Sequence, residues 1–379
     1  MKQVCDIVEI NTVAAFRDMR DEWSALLQRC PNSTPFLTWE WLYSWWEVFA
    51  GETNLLKIVT IRQQGRLIGL APFQIEKRGR SSGGDILRFI GTGEDEADEV
   101  VSEYLDILAE TGAREKVIES VLKWFDELQG WRRLLFENIL PDSLIDAFCD
   151  ALDQRFNQQT VTTGLRYSIP LSGGYDAYLD GIGQSRRKRL AQSERRLKKD
   201  GGQALSVCQS REDAESAFEI LSRLNAERWE TKSKPCIFDS EKFTTFHRKI
   251  IDRLLPLGQT DIHLLSLGDK PLAAVYCFYY NKAVYYYQSG FASEGANRYT
   301  PLWVAHSRII ERAADAGYEL YDFMRGDEHS YKSDFGCQAT EMRTRQVFRS
   351  TLDSWIMATK PRIRNNLKTL SNLFSSKKA

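Results

Sequence analysis

Apolar residues recur at helix and strand spacing through the first 150 residues and predict an α/β unit. Trp41, Trp45 and Phe49 follow one another at steps of four, which predicts a helix that buries its aromatic face in the core. Alternating apolar positions predict strands at 4–10, 55–61, 66–75, 87–90, 104–108 and 133–137. Helical spacing predicts helices at 12–28, 36–49, 111–129 and 143–151.

The rest of the chain repeats this alternation after a boundary near 158–163. Helices are predicted at 176–200, 212–230, 241–254 and 301–316, and strands at 262–267, 272–279, 282–290 and 319–324. The two hairpins are similar, since each has a strand, a polar turn and a second strand that starts with small residues. We therefore expect an α/β (α+β) chain of two tandem domains, 1–160 and 161–350, each a mixed, mostly antiparallel sheet flanked by helices, and a basic helical tail over 351–379.

Charge is divided unevenly between the two units. Residues 1–150 carry 16 basic and 26 acidic side chains, whereas residues 151–379 carry 35 and 26, although the net charge of the 379-residue chain is only −1. The second unit is therefore the one inclined toward anionic ligands.

The seven cysteines are dispersed and none forms a C-x-x-C pair, which argues against a disulfide framework and against a metal site. The N-terminus has no signal-like apolar region, and no apolar run approaches the roughly 20 residues of a membrane span. We expect a cytoplasmic protein. The tail has basic residues and an apolar side, so a weak membrane-surface contact through it is an alternative to packing on its own domain.

A strand followed by a charged turn makes 317–336 the stretch richest in candidate chemistry. Arg325, Asp327, Glu328 and Lys332 follow the predicted strand within eight residues. One carboxylate there is a candidate proton acceptor, and the Lys332 ammonium is suited to stabilise an oxyanion or a phosphate. The alternatives are an ion pair of Arg325 that fixes the turn and a solvated lysine.

Several motifs together resemble the GNAT acetyltransferase superfamily, and more narrowly the CelD/BcsL-type acyltransferases of cellulose and exopolysaccharide biosynthesis, relatives of the FemABX aminoacyl transferases. They are L-G-D-K-P-L-A-A-V-Y, V-Y-Y-Y-Q-S-G-F, Y-T-P-L-W-V and Y-E-L-Y-D-F-M-R-G-D in the second unit, and F-L-T-W-E-W-L, G-R-L-I-G-L-A-P and L-R-F-I-G-T-G…Y-L-D in the first. The resemblance implies two GNAT-like domains side by side and acyl transfer to an amine or hydroxyl.

The resemblance also assigns roles to residues. The segment Y-K-S-D-F-G matches the F/Y-K-x-x-F element of the FemABX enzymes, so Lys332 is expected to stabilise the transferred acyl group. Tyr104 and Asp106, which alternation places on one strand face, are expected to orient the acceptor in the cleft between the units. A hydrogen bond between them at a strand edge is the alternative. Arg325 is a further candidate for binding substrate.

A GNAT domain usually binds the coenzyme A pyrophosphate at a helix N-terminus. The corresponding stretch here offers Arg298, Tyr299, Thr300 and Leu302, with Thr300 as the expected N-cap before a proline. The glycine pair of the family motif is absent. The resemblance implies acyl-CoA as the donor, and the absent glycine pair keeps a carrier-protein thioester or another activated donor open as alternatives.

The predicted helix around 185–199 carries eight basic residues and one acidic residue. Arg187 on this helix and Trp229 on the next are candidates for binding substrate. The alternatives are a phosphate site near the reaction centre and a solvated helix. We do not expect specific nucleic-acid binding.

These observations favour an acyltransferase that moves an acyl group from a thioester to an amine or hydroxyl of a sugar-linked or cell-envelope acceptor, without a metal. Two alternatives stay open. One is a FemABX-like transferase that uses aminoacyl-tRNA, for which the basic helix is the attraction. The other is a non-catalytic scaffold in a polysaccharide-synthesis assembly.

Overall fold

The computed structural model describes residues 5–79, 84–230 and 236–350, with only the main chain over 228–230. The predicted basic tail and the side chain of Trp229 lie outside the described residues. The strands are β1 Asp6–Ile10, β2 Asn54–Gln63, β3 Arg66–Glu76, β4 Ile86–Phe89, β5 Leu108–Ala109, β6 Arg133–Ile139, β7 Asn157–Pro170, β8 Thr260–Leu267, β9 Lys270–Tyr280, β10 Ala283–Phe291, β11 Leu320–Gly326 and β12 Gln338–Phe348.

The α-helices surround this sheet. They are α1 Val13–Asp18, α2 Arg20–Leu27, α3 Trp39–Phe49, α4 Arg114–Glu127, α5 Leu144–Ala151, α6 Gly174–Gly181, α7 Gln184–Lys199, α8 Arg211–Glu230, α9 Glu241–Leu254, α10 Ala296–Tyr299 and α11 Pro301–Asp315. The predicted α/β class is confirmed: a large, mostly antiparallel sheet is flanked by helices.

The aromatic helix α3 begins where Thr38 accepts a hydrogen bond from the main-chain N–H of Trp41. Trp41 and Trp45 are fully buried, as the step-of-four pattern predicts. The Trp41 ring packs edge to face against Phe246 of α9 and Phe278 of β9. The helix therefore joins the first unit to elements of the second.

The strand order of the sheet reads almost the same from either end. It runs β1-β2-β3-β4-β6-β12-β7-β11-β10-β9-β8, with β5 paired to β3. When the additional edge strand β1 is left out, the hairpins β2–β3 and β8–β9 that looked alike in sequence occupy equivalent places from the two ends. The parallel pair β4–β6 is likewise equivalent to the parallel pair β10–β11. Duplication of one unit predicts this order.

Strand β12 explains how the two halves are held together. It pairs with β6 on one side and with β7 over its whole length on the other, so the C-terminal strand completes the sheet between the units. The boundary near 158–163 lies inside β7, an unbroken strand of 14 residues. Residues 158–163 pair with β12 as part of this strand, and the division of the chain into domains at this place stays a prediction.

One predicted strand of the first unit, 104–108, is wrong. Only Leu108 and Ala109 pair with β3, whereas 101–107 runs as irregular chain in which Tyr104 has a φ of 58°. A left-handed residue interrupts the extended backbone, so the alternation argument for Tyr104 and Asp106 fails. Their side chains go to different places.

Candidate functional site

The parallel strands β10 and β11 separate after a short paired stretch. Ala283–Tyr285 pair with Leu320–Asp322, and beyond that point no pairing joins the two strands although β10 continues to Phe291. Strand β10 bulges between Tyr286 and Gln288, and β11 bulges between Asp322 and Met324. The two bulges open a wedge in the sheet, and a cavity of about 270 Å³ lies there.

Lys332 reaches into this wedge from a short 3₁₀ turn over Tyr331–Phe335. Its Nζ donates hydrogen bonds of 2.5 Å to the main-chain oxygens of Phe323 and Arg325 on β11. An ammonium has three donor hydrogens, so one remains for a ligand in the cavity that Lys332 lines. The position agrees with the role predicted for this residue, which stays a prediction.

Glu103 of the first unit lines the same cavity and was missed in the sequence. Its side chain is 2% exposed, and its carboxylate accepts a 2.9 Å hydrogen bond from the main-chain N–H of Arg325. The Arg325 Nε lies 3.6 Å from the other carboxylate oxygen. The residue lies in S-E-Y-L-D beside Tyr104, but nothing in that motif distinguishes it from the acidic residues at 94–99 just before it.

The charges in the wedge oppose the cost of burial. Burial lowers the pKa of the Lys332 ammonium, and the negative charges of Glu103 and Asp322 act against that shift. Burial likewise raises the pKa of Glu103, opposed by Arg325 and Lys332. Each residue is therefore a principal opposing charge for the other, which favours the pair of a Lys332 ammonium and a Glu103 carboxylate.

Asp322 connects the two units behind the wedge. This fully buried carboxylate accepts the Tyr104 hydroxyl at 3.2 Å and the Arg166 Nε at 2.7 Å, as well as the main-chain N–H of Met324 at 2.7 Å. The Arg166 guanidinium also lies over the Tyr104 ring, 4.9 Å from its centroid. The alternative prediction was a hydrogen bond between Tyr104 and Asp106. Tyr104 does donate to an aspartate, but that aspartate is Asp322 of the second unit.

Asp106 is fully engaged elsewhere. Its carboxylate accepts the main-chain N–H groups of Ile107, Leu144 and Ile145 and the side-chain amide of Asn32. Two of those N–H groups belong to the first turn of α5, where a carboxylate is favoured. Burial nevertheless raises the pKa of Asp106 to about 6. The geometry favours a structural role over orientation of an acceptor.

Asp327 and Glu328 lie in the exposed turn after β11. Asp327 accepts the main-chain N–H of His329 through its carboxylate, and its main-chain oxygen accepts the Tyr167 hydroxyl. Neither acid lines the cavity that Lys332 and Glu103 share. Their catalytic role stays a prediction, and Glu103 is the better-placed acid.

The loop before α11 differs from the predicted cofactor site in one respect. Pro301 is the first helical residue, as predicted, but Thr300 has a φ of 41° and makes no side-chain cap, because its hydroxyl donates to Ser193 of α7. Arg298 and Tyr299 both bond Asp200, at 2.5 and 2.8 Å. Leu302 is half-buried at the start of the helix. Its main-chain N–H and that of the next residue precede the first intrahelical bond, so they remain available to an anion.

The basic helix α7 packs on α11 through Leu190 and Leu197 and leaves its charges outside. Arg187 pairs with Asp180, and Arg186 pairs with Asp334 of the 3₁₀ turn that carries Lys332. The helix therefore touches the site through that turn. Arg187 itself lies on the exposed side of the helix.

The described residues offer neither a metal centre nor a membrane-spanning helix. No group of three His, Cys, Asp or Glu side chains among them could hold a metal ion. No helix within 5–79, 84–230 or 236–350 is long and apolar enough to cross a membrane.

Residues 184–333 match the family described as acetyltransferase (GNAT) domain. The matched stretch runs from the start of α7 to the residue after Lys332 and contains the wedge. This part of the chain is therefore similar to a GNAT acetyltransferase domain. None of the curated proteins matches the chain.

Solved structures show the same fold over most of the chain. FemX is 13% identical with a TM-score of 0.64, covering 93% of this chain and 99% of its own. The C-terminal domain of a putative lysylphosphatidylglycerol synthetase from Agrobacterium fabrum is 11% identical with a TM-score of 0.54, covering 90% and 95%. L-PGS from Bacillus licheniformis is 12% identical with a TM-score of 0.54, covering 90% and 96%. At these identities the similarity concerns the fold alone.

Proposed function

We propose that the protein transfers an acyl group from a thioester, with acyl-CoA as the donor, to an amine or hydroxyl of a sugar-linked acceptor. The observation that carries this proposal is the wedge between β10 and β11, where a lysine with one remaining donor hydrogen and a buried glutamate line one cavity. A thioester carbonyl placed there meets a cation at the point where its oxygen gains negative charge.

Each group in the wedge has a chemical task in this reaction. Glu103 takes the proton of the attacking amine or hydroxyl as the new C–N or C–O bond forms. Lys332 stabilises the charge on the carbonyl oxygen until the C–S bond breaks. The leaving thiolate then takes up a proton and departs as the free thiol. The main-chain N–H groups at the start of α11 are placed to hold the phosphates of the donor.

The choice of a sugar-linked acceptor in exopolysaccharide or cellulose biosynthesis rests on the motif resemblance to the CelD/BcsL-type enzymes. Fold similarity to FemX over nearly the whole chain favours a second candidate, transfer of an aminoacyl group from tRNA. The eight basic residues of α7, next to the turn that carries Lys332, supply the positive charge that a tRNA donor requires.

Thiol release from a panel of acyl-CoA esters, with and without amino sugars, tests the first candidate. We expect acceptor-dependent release by the wild-type protein and none by Lys332→Met. Absence of release with every donor and acceptor extract would overturn the acyl-CoA proposal. Binding of aminoacyl-tRNA at low salt, weakened by reversal of charge at Arg195 and Arg196 of α7, would then favour the second candidate, and no binding of either donor would favour a scaffold.

A further inference from the structure

A second cavity lies in the mirrored wedge of the first unit. Strands β4 and β6 pair only at Ile86–Leu87 with Arg133–Leu134 before they separate. A cavity of about 500 Å³ lies beyond that point, bounded by the ends of β4 and β6 and by β7 and β12. This cavity of the first unit has almost twice the volume of the cavity that Lys332 lines. The sequence motifs assign no ligand to it.

Positive charge gathers at the inner end of this cavity. Arg78, Arg88 and Arg133 line it beside the paired ends of the two strands. Arg88 is held by Glu76 at 2.8 Å and by Glu137 at 2.6 Å.

Arg133 differs from Arg88, since it makes no ion pair with any described residue. Its one side-chain hydrogen bond among them is a long 3.4 Å contact to Gln346. Burial and the neighbouring positive charges of Arg78 and Arg88 lower its pKa to about 10. A guanidinium that is desolvated, crowded by like charge and left with free donors is stabilised by a bound anion. The buried hydroxyl of Thr163, which has no partner among the described residues, also lines the cavity.

Negative charge gathers at the other end, where the two cavities meet. Both cavities are lined by Glu96, Glu99, Val101 and Arg325. The cavity of the first unit therefore opens toward Lys332 and Glu103 in the other one. A molecule bound across them therefore meets the Arg133 guanidinium at one end and the carboxylates of Glu99 and Glu103 at the other.

We propose that the cavity of the first unit, between β4 and β6, binds the acceptor. The acceptor is an amine that bears a separate anionic group, a phosphate or a carboxylate. Arg133 binds the anion, and the acidic residues Glu99 and Glu103 attract the amine as its ammonium form. Glu99 takes up one proton to give the free amine, which then attacks the thioester as Glu103 takes the second proton. The proposal that the cavity binds an anion depends only on the residues that line it, chiefly Arg133. The role of the amine rests on the proposed acyl transfer.

Binding of inorganic phosphate tests the anion site without any acyl donor. We expect phosphate to bind the full-length protein measurably by titration calorimetry and to raise its melting temperature. Arg133→Gln should weaken this binding about tenfold or more, the cost of one charge-assisted contact. Arg17→Gln, at a surface arginine of the same unit whose side chain is 64% exposed, should leave it unchanged. Acetate titrated in parallel distinguishes a carboxylate site from a phosphate site.

Arg78→Gln provides a second variant in case the first one fails to fold, because the Arg78 side chain is 38% exposed and tolerates replacement. Equal affinity of wild type, Arg133→Gln and Arg78→Gln for both anions, or no binding of either anion, would overturn the proposal. A kinetic comparison tests the amine. With O-phosphoethanolamine as acceptor Arg133→Gln should raise KM and keep kcat, whereas with ethanolamine it should change neither. If phosphate binds through Arg133 and no acyl transfer occurs, the anion site stands and the proposed function fails.

Discussion

The two parallel strand pairs, β4–β6 and β10–β11, have similar backbone geometry but carry buried cations with different partners. Each pair separates after two or three registered residues, and each has a bulge with a left-handed residue on its central strand, Asn138 in β6 and Met324 in β11. In the first wedge the principal buried cation, Arg88, is neutralised by two glutamates. In the second, Lys332 bonds only main-chain oxygens and keeps a donor free.

The partners of a buried cation decide whether its charge is available to a ligand. A guanidinium held by two carboxylates has little left to offer a ligand, because its charge is already balanced. An ammonium held by neutral carbonyls keeps its full charge for the carbonyl oxygen of a substrate. We therefore assign stability to Arg88 and chemistry to Lys332, and the following variants test that division.

Replacement of Arg88 by methionine should have the largest effect, on stability. It leaves Glu76 and Glu137 without their shared cation, so we expect the free energy of unfolding to fall by about 3 kcal/mol, allowing for the partial exposure of Glu137. Urea unfolding at pH 7 measures this loss. Arg78→Met is the matched control, since Arg78 also pairs with Glu76 at a more exposed place. If both variants lose equally little, the first wedge does not depend on its buried cation.

Replacement of Lys332 by methionine should act on the reaction instead. We expect the rate constant for acyl transfer to fall about 100-fold, roughly 2.7 kcal/mol, because the developing oxyanion loses its cation. Single-turnover thiol release measures this rate. Lys282→Met is the control, at a lysine of the same unit whose side chain is 68% exposed. A Lys332→Met protein that unfolds early but reacts at the wild-type rate when folded would reverse the assignment.

The sequence predicted the elements of both wedges well, because hairpins, helices and strands follow from local periodicity. The Lys332 turn was found from its motif, and the equivalence of the hairpins was visible in their pattern. Glu103 could not be found this way. Its importance comes from burial against Arg325, which lies 222 residues away in the chain, and a single acid next to an acidic loop carries no local signal.

The irregular segment 101–107 is a second place where local sequence patterns did not predict the structure. Its apolar residues alternate as in a strand, but Asp106 draws the chain toward the first turn of α5 and Tyr104 turns toward Asp322. Long-range hydrogen bonds prevailed over local propensity here. Pairing with a distant strand also explains why β7 is continuous through 158–163, since β12 returns to pair with it.

Replacement of Asp106 by asparagine tests whether this segment is structural. An amide can accept at only one atom and turns donors toward the N–H groups of α5, so we expect stability to fall by about 2 kcal/mol. Thermal unfolding measures the change, and Asp142→Asn at an exposed neighbour is the control. The KM for acceptor, measured on folded protein, should stay constant. A raised KM with unchanged stability would restore the predicted role in orienting the acceptor.

The smallest expected effect concerns Glu94, at the mouth of the first wedge, and it depends on pH. Burial raises the pKa of Glu94 from 4.5 to about 7, although Trp45 and the main-chain N–H of Val100 donate to it. Between those values the folded state holds a proton that the unfolded state releases. Stability therefore declines as pH rises through this window.

Glu94→Gln should remove about 1 kcal/mol of that decline, after allowance for solvent at the cavity mouth. The difference in free energy of unfolding between pH 5 and pH 7.5, wild type against variant, measures it. The exposed Glu119→Gln serves as the control. An identical pH dependence in wild type and Glu94→Gln would mean that the carboxylate is well solvated. The acidic end of the first wedge would then be open to water, so its charge would be screened and would attract an ammonium group less strongly.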